Sequence, residues 1–304
     1  MHFSGVQDYD ELLLTIKDPK DIQRNIIMFI ERCKQRNLSF STIQGYVAGI
    51  KHFYEYNDID LKWRRINAHQ PAKQKVVDDR AHTHGELKRM IDIANLRDKA
   101  ILLTMAGSGM RVDAVHPIKM KDLTPVEYNG ISLYEIRVYP LSKEEYKGYV
   151  TPEGKAAIDD YIRWRKQCGE RITDESPLFR KGFDKSDSMA VSSPVSITRE
   201  TINFIVAELL DKSGVRPRQR MTEEELKRGI RTKRTNLQMN HGLRKFTISN
   251  MIRARIEPNA RRLLVGQELS GMDSHYDRRE QEELLAEYTK AIDYLVIDDS
   301  NKIR

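Results

Sequence analysis

A chain of 304 residues can bury a sizeable core and by domain-size statistics divides into two domains, while 39% hydrophobic and 32% charged residues describe a soluble protein with a highly charged surface. No apolar stretch approaches bilayer-spanning length, and the opening MHFSGVQDYDELLL lacks the basic-then-apolar layout of a secretory signal, so the expectation is a cytoplasmic protein with no membrane association. Two cysteines, Cys33 and Cys168, are too few and too far apart for a disulfide framework or a cysteine zinc site, and a net charge of +7 is compatible with a polyanionic partner.

In DIQRNIIMFIERCKQRN the residues Ile22, Ile26, Phe29, Ile30 and Cys33 recur at helical spacing. In STIQGYVAGIKHFYEY, Ile43, Tyr46, Val47, Ile50, Phe53 and Tyr54 do the same, so each segment predicts a helix with one buried stripe. Ser41 with Gln44 has the form of a capping box opening the second helix. The pattern lapses in RRINAHQPAKQKVVDDRA, where a proline and mixed charge predict a linker over residues 65–80 and a division of the chain into 1–76 and 77–304. Beyond it, Leu87, Met90, Ile91 and Ala94 form a stripe, the run from Ile101 to Met105 predicts a buried second helix, and Gly107 and Gly109 break that helix just before Arg111. After MKDLTP the period shifts to two: ISLYEIRVYPL alternates like a strand, and KGYVTPEG pairs with it across the polar turn SKEEYK. Helices follow at EGKAAIDDYIRWRKQ and TRETINFIVAELLDKSG, separated by the loop RKGFDKSDSMAVSSPVS. Lys and Arg concentrate between Asp211 and Phe246, as a solvated face or a phosphate-facing one. Finally, EELLAEYTKAIDYLVI aligns Leu284, Tyr288, Ile292 and Leu295 on one face. The fold class is mainly α with a small β-sheet.

Several polar residues stand where the apolar pattern breaks. Arg111 follows Gly-Ser-Gly; Lys143 and Lys147 lie at the hairpin turn; HGLR sets His241 and Arg244 three apart, on one helical face; and VGQELSGMDSHYDRRE carries Gln267 and Tyr276 with no apolar stripe. Singly, each has an ordinary reading: a satisfied buried histidine, an arginine capping a helix, a surface lysine, one of 13 tyrosines.

In this order, the set resembles the tyrosine recombinase (phage-integrase-like) family, which shares its chemistry with type IB topoisomerases. GSGMRV resembles the first arginine box and HGLRKF the second, while LLVGQELSGMDSHYDR resembles the final box, most of all that of archaeal integrases. The resemblance implies a helical core-binding domain over 1–76, a catalytic domain with a C-terminal helix over 77–304, and a clamp around double-stranded DNA. It implies catalytic roles for Arg111, Lys143, His241, Arg244 and Gln267, with Tyr276 as the nucleophile that forms a 3′-phosphotyrosyl link. The expected activity is site-specific DNA recombination or integration by a nucleoid-associated enzyme, without ATP, metal or other cofactor, by a homo-oligomer that is tetrameric in the synapse. A type IB topoisomerase-like relaxing enzyme, or a DNA-binding protein of the same fold with impaired catalysis, are the alternatives. Two positions depart from the family pattern. Gln267 stands where His or Trp is usual and can donate a hydrogen bond but carry no charge. Ala114, beside Asp113, stands where an acid commonly supports the first arginine. Lys147 remains an alternative to Lys143, and the C-terminal helix packs either on its own domain or on a neighbouring copy.

Overall fold

The computed structural model describes residues 18–73, 79–218, 222–223, 226, 236–269 and 281–298, and elements are numbered over these. The chain divides into two compact units, residues 1–76 and 77–304.

In the first unit, helix α1 (Pro19–Gln35) begins where the Asp18 carboxylate accepts from the Lys20 amide and Pro19 presets the first helical φ. Its predicted stripe is buried, sharing one core with Ile43, Val47 and Tyr54 of α2 (Phe40–Tyr56). Burial of side chains this large contributes roughly 1.5–3 kcal/mol each, which is what holds so small a unit together. Tyr46, expected in the second stripe, is 47% exposed and meets Phe29 edge-on. The Ser41–Gln44 box is not the cap of α2. Ser39 accepts from the Thr42 amide and is itself extended, so the helix opens at Phe40. Nor is the predicted linker irregular from residue 65, because α3 (Trp63–Asn67) carries Ile66 fully into the core.

The second unit starts with α4 (His84–Asp92), opened by a reciprocal Thr83–Glu86 capping box. Arg80 grips the same Glu86 carboxylate through two bonds of 2.8 and 2.6 Å, which hold its pKa down to about 2. Ala94 lies beyond the end of α4 and is only half-buried. Helix α5 (Leu96–Ser108) is buried continuously from Ala100 to Ser108, as expected of a helix with no polar face there. Only Gly109, at φ +65, ends it. Gly107 stays helical; its Cα faces Thr151, and its carbonyl accepts from the Tyr288 hydroxyl.

The short helix α6 (Val112–Val115) leads to an antiparallel sheet of order β1-β2-β3: β1 (Leu123–Tyr128), β2 (Ile131–Val138) and β3 (Tyr146–Val150). The β2–β3 hairpin is the predicted one; β1 is an addition. Its LTPVEY alternates poorly because it is an edge strand that tolerates Pro125, and Asn129 and Gly130, both at positive φ, make the two-residue turn to β2.

Helices α7 (Pro152–Gln167) and α9 (Arg199–Lys212) match expectation, with the short α8 (Ser188–Ser192), capped by Asp187, inside the predicted loop. Then come α10 (Met239–Arg253), α11 (Pro258–Leu264), α12 (Gln281–Thr289) and α13 (Ile292–Leu295). The last two replace one predicted helix. Tyr288, Ile292 and Leu295 are buried in the second unit's own core, with Leu285 buried in place of the half-buried Leu284. Among the described residues, therefore, the C-terminal segment packs on its own domain. The amides of Ile297 and Asp298 secure it by donating to Glu153. No helix of the described residues is long and apolar enough to cross a membrane.

Candidate active site

The site is built where the start of α10 meets the end of α5. Thr247 lies against Gly109, where a Cβ would come within 3.0 Å of the threonine side chain, and its hydroxyl donates to the Ala106 carbonyl at 2.8 Å. This close approach fixes the register of α10. Arg244, one turn earlier, then donates from Nη1 to the Gly109 carbonyl at 2.6 Å. Arg111, two residues beyond Gly109 and exposed, donates from Nη1 to the Gly266 carbonyl at 3.4 Å. Gly266 follows α11 at φ +63 and lies flat on the Tyr146 ring, where a Cβ would overlap the aromatic carbons. Gln267 comes next: its amide donates to the Arg262 carbonyl at 2.8 Å and its side chain is exposed. Arg111, Arg244 and Gln267 therefore gather at one place from three distant stretches of sequence.

Electrostatically the place is suited to an anion. Arg244 is buried; its Nη2 makes no hydrogen bond among the described residues, and its guanidinium lies close enough to the Tyr146 phenol to interact with it. Burial first, and then the positive charge of Arg111, lower its pKa. No carboxylate among the described residues forms an ion pair with either arginine, so an oxyanion satisfies the free donor and relieves the repulsion together. Tyr139 and Tyr146, rings 6.5 Å apart edge-on, lie beside the two arginines. Burial pushes the Tyr146 phenol up to about 12 against the pull of Arg244 and Arg111, and Tyr139 is raised for the same reason. Neither phenol was expected from the sequence. The available signal is their position flanking the turn, Tyr139 just after β2 and Tyr146 opening β3.

The remaining candidates divide clearly. His241 is exposed in the first turn of α10, which excludes the reading as a satisfied buried histidine. Arg111 occupies the N-cap position of α6 without making a side-chain capping bond. Lys147 is held, 2.9 Å from the buried Glu135 carboxylate and 2.5 Å from Gln281 Oε1. Lys143 is exposed, with no hydrogen bond or ion pair among the described residues. Asp113 pairs with Arg199 at 3.1 Å, and Ala114 is buried. Tyr276 lies outside the described residues, as does much of the basic stretch before His241.

The chain matches no protein-family model. A curated relative, tyrosine recombinase XerA of Pyrococcus horikoshii, is 25% identical over 101 residues, a match covering 33% of this chain and 34% of the relative. The chain thus matches about a third of that relative's length. The XerH site-specific recombinase bound to difH substrate superposes with a TM-score of 0.53 at 14% identity, over 94% of this chain and 72% of the other. A lambda integrase dimer bound to a COC′ core site superposes with a TM-score of 0.51 at 13% identity, over 85% and 81%. The chain therefore has the fold of the tyrosine recombinases. The XerA relative is archaeal, in keeping with the resemblance of the final box. On this tyrosine recombinase fold, the two arginines of the sequence resemblance are the two that the packing of α10 on α5 brings together.

Beneath the arginine-bearing helix of this tyrosine recombinase fold lies His82, buried, with Nε2 3.2 Å from the Met239 carbonyl and its ring against Gly242. Nδ1 has no partner among the described residues, and burial lowers the pKa below that of a free histidine. Between about pH 6.5 and that lowered value only the unfolded chain binds the proton, so stability is full above the window and falls on acidification, by at most about 1.4 kcal/mol per pH unit. Thermal unfolding from about pH 7.5 to about pH 5.5 is expected to show this loss. His82→Gln flattens it, since Glu86, held down to about 2, titrates far below the window. Equal slopes for the two proteins would refute the assignment.

Proposed function

We propose that the chain is a site-specific DNA recombinase or integrase that cuts and rejoins strands through a 3′-phosphotyrosyl intermediate, without ATP or metal. The observation that carries this reading is the convergence of Arg111 with the buried Arg244, whose Nη2 donor is unengaged. A phosphodiester repels an attacking phenol through its own charge. Two guanidinium forks on the non-bridging oxygens offset that repulsion, each contributing roughly 1.5–3 kcal/mol, and most strongly when charge peaks at phosphorus. In this reading the Tyr276 hydroxyl attacks phosphorus, its proton passing toward His241, and the P–O5′ bond breaks with the departing oxygen taking a proton from Lys143. Lys143 suits the acid role better than Lys147, which Glu135 and Gln281 already hold. Gln267 donates an amide hydrogen to the phosphate. The phosphotyrosyl bond conserves the energy of the one broken, so a new 5′-hydroxyl reverses the step on another strand. The XerH and lambda integrase structures of this fold hold DNA, which supports double-stranded attachment sites as the partner; in this reading the 1–76 unit is the core-binding domain, the 77–304 unit the catalytic one, and a homotetrameric synapse the working assembly.

The test uses a duplex selected from a random pool by binding to the full chain, then nicked beside the cleavage position so that the released fragment diffuses away. A covalent adduct that survives SDS is expected, and its loss in Tyr276→Phe. Tyr288→Phe should retain it, because the Tyr288 ring is fully buried and its hydroxyl is committed to the Gly107 carbonyl. No adduct on a demonstrably bound duplex would leave a DNA-binding protein without catalysis.

A further inference from the structure

Leu141, at the tip of the β2–β3 turn, is 92% exposed, the most exposed of the large apolar side chains described. A lone exposed leucine is ordinary, but this one is presented by unusual backbone. Leu141 and Tyr139, on either side of Pro140, both occupy the left-handed region, φ +65 and +52. Non-glycine residues persist there only where their surroundings over-determine them. The surroundings do so here. Glu145 accepts the Leu141 amide at 2.7 Å while Arg137 clamps the same carboxylate through bonds of 2.7 and 3.0 Å. The Ser142 amide donates to the Tyr139 carbonyl at 3.1 Å, and the Glu145 amide to the Ser142 carbonyl at 3.2 Å. Braced in this way, the turn holds Leu141 outward.

The base of the turn is the Tyr139–Tyr146 pair beside the two arginines, so the apolar tip stands on the same element that flanks the candidate anion site. Lys143, exposed and unpaired among the described residues, follows two positions later, which puts a cation and an apolar projection on the same braced turn. DNA presents these two chemistries together, phosphates outside and stacked bases within. We propose that Leu141 is a wedge that enters the duplex at a base step beside the phosphate held by Arg111 and Arg244 and unstacks it, freeing the cut end for exchange. The proposal rests on the DNA-cleaving reading above.

The experiment places 2-aminopurine, one position at a time, through the selected duplex and measures its fluorescence on binding Tyr276→Phe, which holds the complex before cleavage. A severalfold rise at a step near the cleavage position is expected. The rise should be lost in Leu141→Ala on that background with binding retained, and kept in Leu141→Met, which preserves an apolar projection. No rise at any position, or a rise unchanged by Leu141→Ala, overturns the wedge. Adduct formation by the unmodified chain is scored separately. An adduct with an unresponsive probe removes the wedge and leaves cleavage standing; a Leu141-dependent rise with no adduct does the reverse.

Discussion

Arg244→Lys is expected to slow single-turnover adduct formation by about 10²- to 10³-fold, the scale on which loss of one well-placed transition-state donor is felt. The substitution keeps the charge but removes the fork. Arg244 uses Nη1 on the Gly109 carbonyl and leaves Nη2 for the phosphate, and one ammonium cannot span both. A second effect follows from burial. A lysine in this pocket, desolvated and beside Arg111, has its pKa lowered, so part of the variant population is neutral. The sign is definite: acidification refills the charged form, and the variant's rate should rise as pH falls while the arginine enzyme, which stays charged, shows no such gain. Rates measured at saturating duplex across pH separate this from weakened binding. A fall of less than about tenfold would show that Arg244 does not stabilise the transition state.

Why the arginine site was legible in part can be seen residue by residue. Three-residue spacing places His241 and Arg244 on one side of a helix, and the glycines before Arg111 mark the end of another. Spacing alone, however, does not set depth. Arg244 is buried because Thr247, one turn further on, packs on Gly109 and brings that part of α10 against the end of α5, while His241, in the first turn, stays exposed. Tyr139 and Tyr146 were silent in the sequence, since the face a strand-end residue takes depends on the β2–β3 register, Val138 opposite Tyr146, and on Gly266 reaching the ring from another element. Tyr288 was legible as buried from its stripe, because a periodic apolar pattern reports the core directly. The helix start at Ser39 and the edge strand β1 were misjudged for local reasons: two serines compete for one cap, and an edge strand with one wet face need not alternate cleanly.

Glu170→Ala is expected to destabilise the second unit by about 3–5 kcal/mol, the cost of leaving buried charge unpaired. Glu170 is fully buried between two arginines. Arg165 donates Nε at 3.0 Å and Nη2 to its carboxylate, and Arg180 donates Nη1 at 2.6 Å. The arginines also carry the backbone, Arg165 on the Pro177 and Leu178 carbonyls and Arg180 on those of Ala190 and Val191, so they cannot swing out to water without releasing the strap between α7 and α8. Burial alone would raise the Glu170 pKa, but the bonds from Arg165 and Arg180 outweigh it and the net shift is downward. Its contribution to stability is therefore full above the ordinary carboxylate pKa and is lost as pH falls through the lowered one, so the gap between variant and parent should narrow in acid. The chain's two tryptophans, Trp63 and Trp164, lie one in each unit, and a Trp63→Phe background lets denaturant unfolding of the second unit be read from Trp164. A loss below about 1 kcal/mol would show that the arginines find other partners or water.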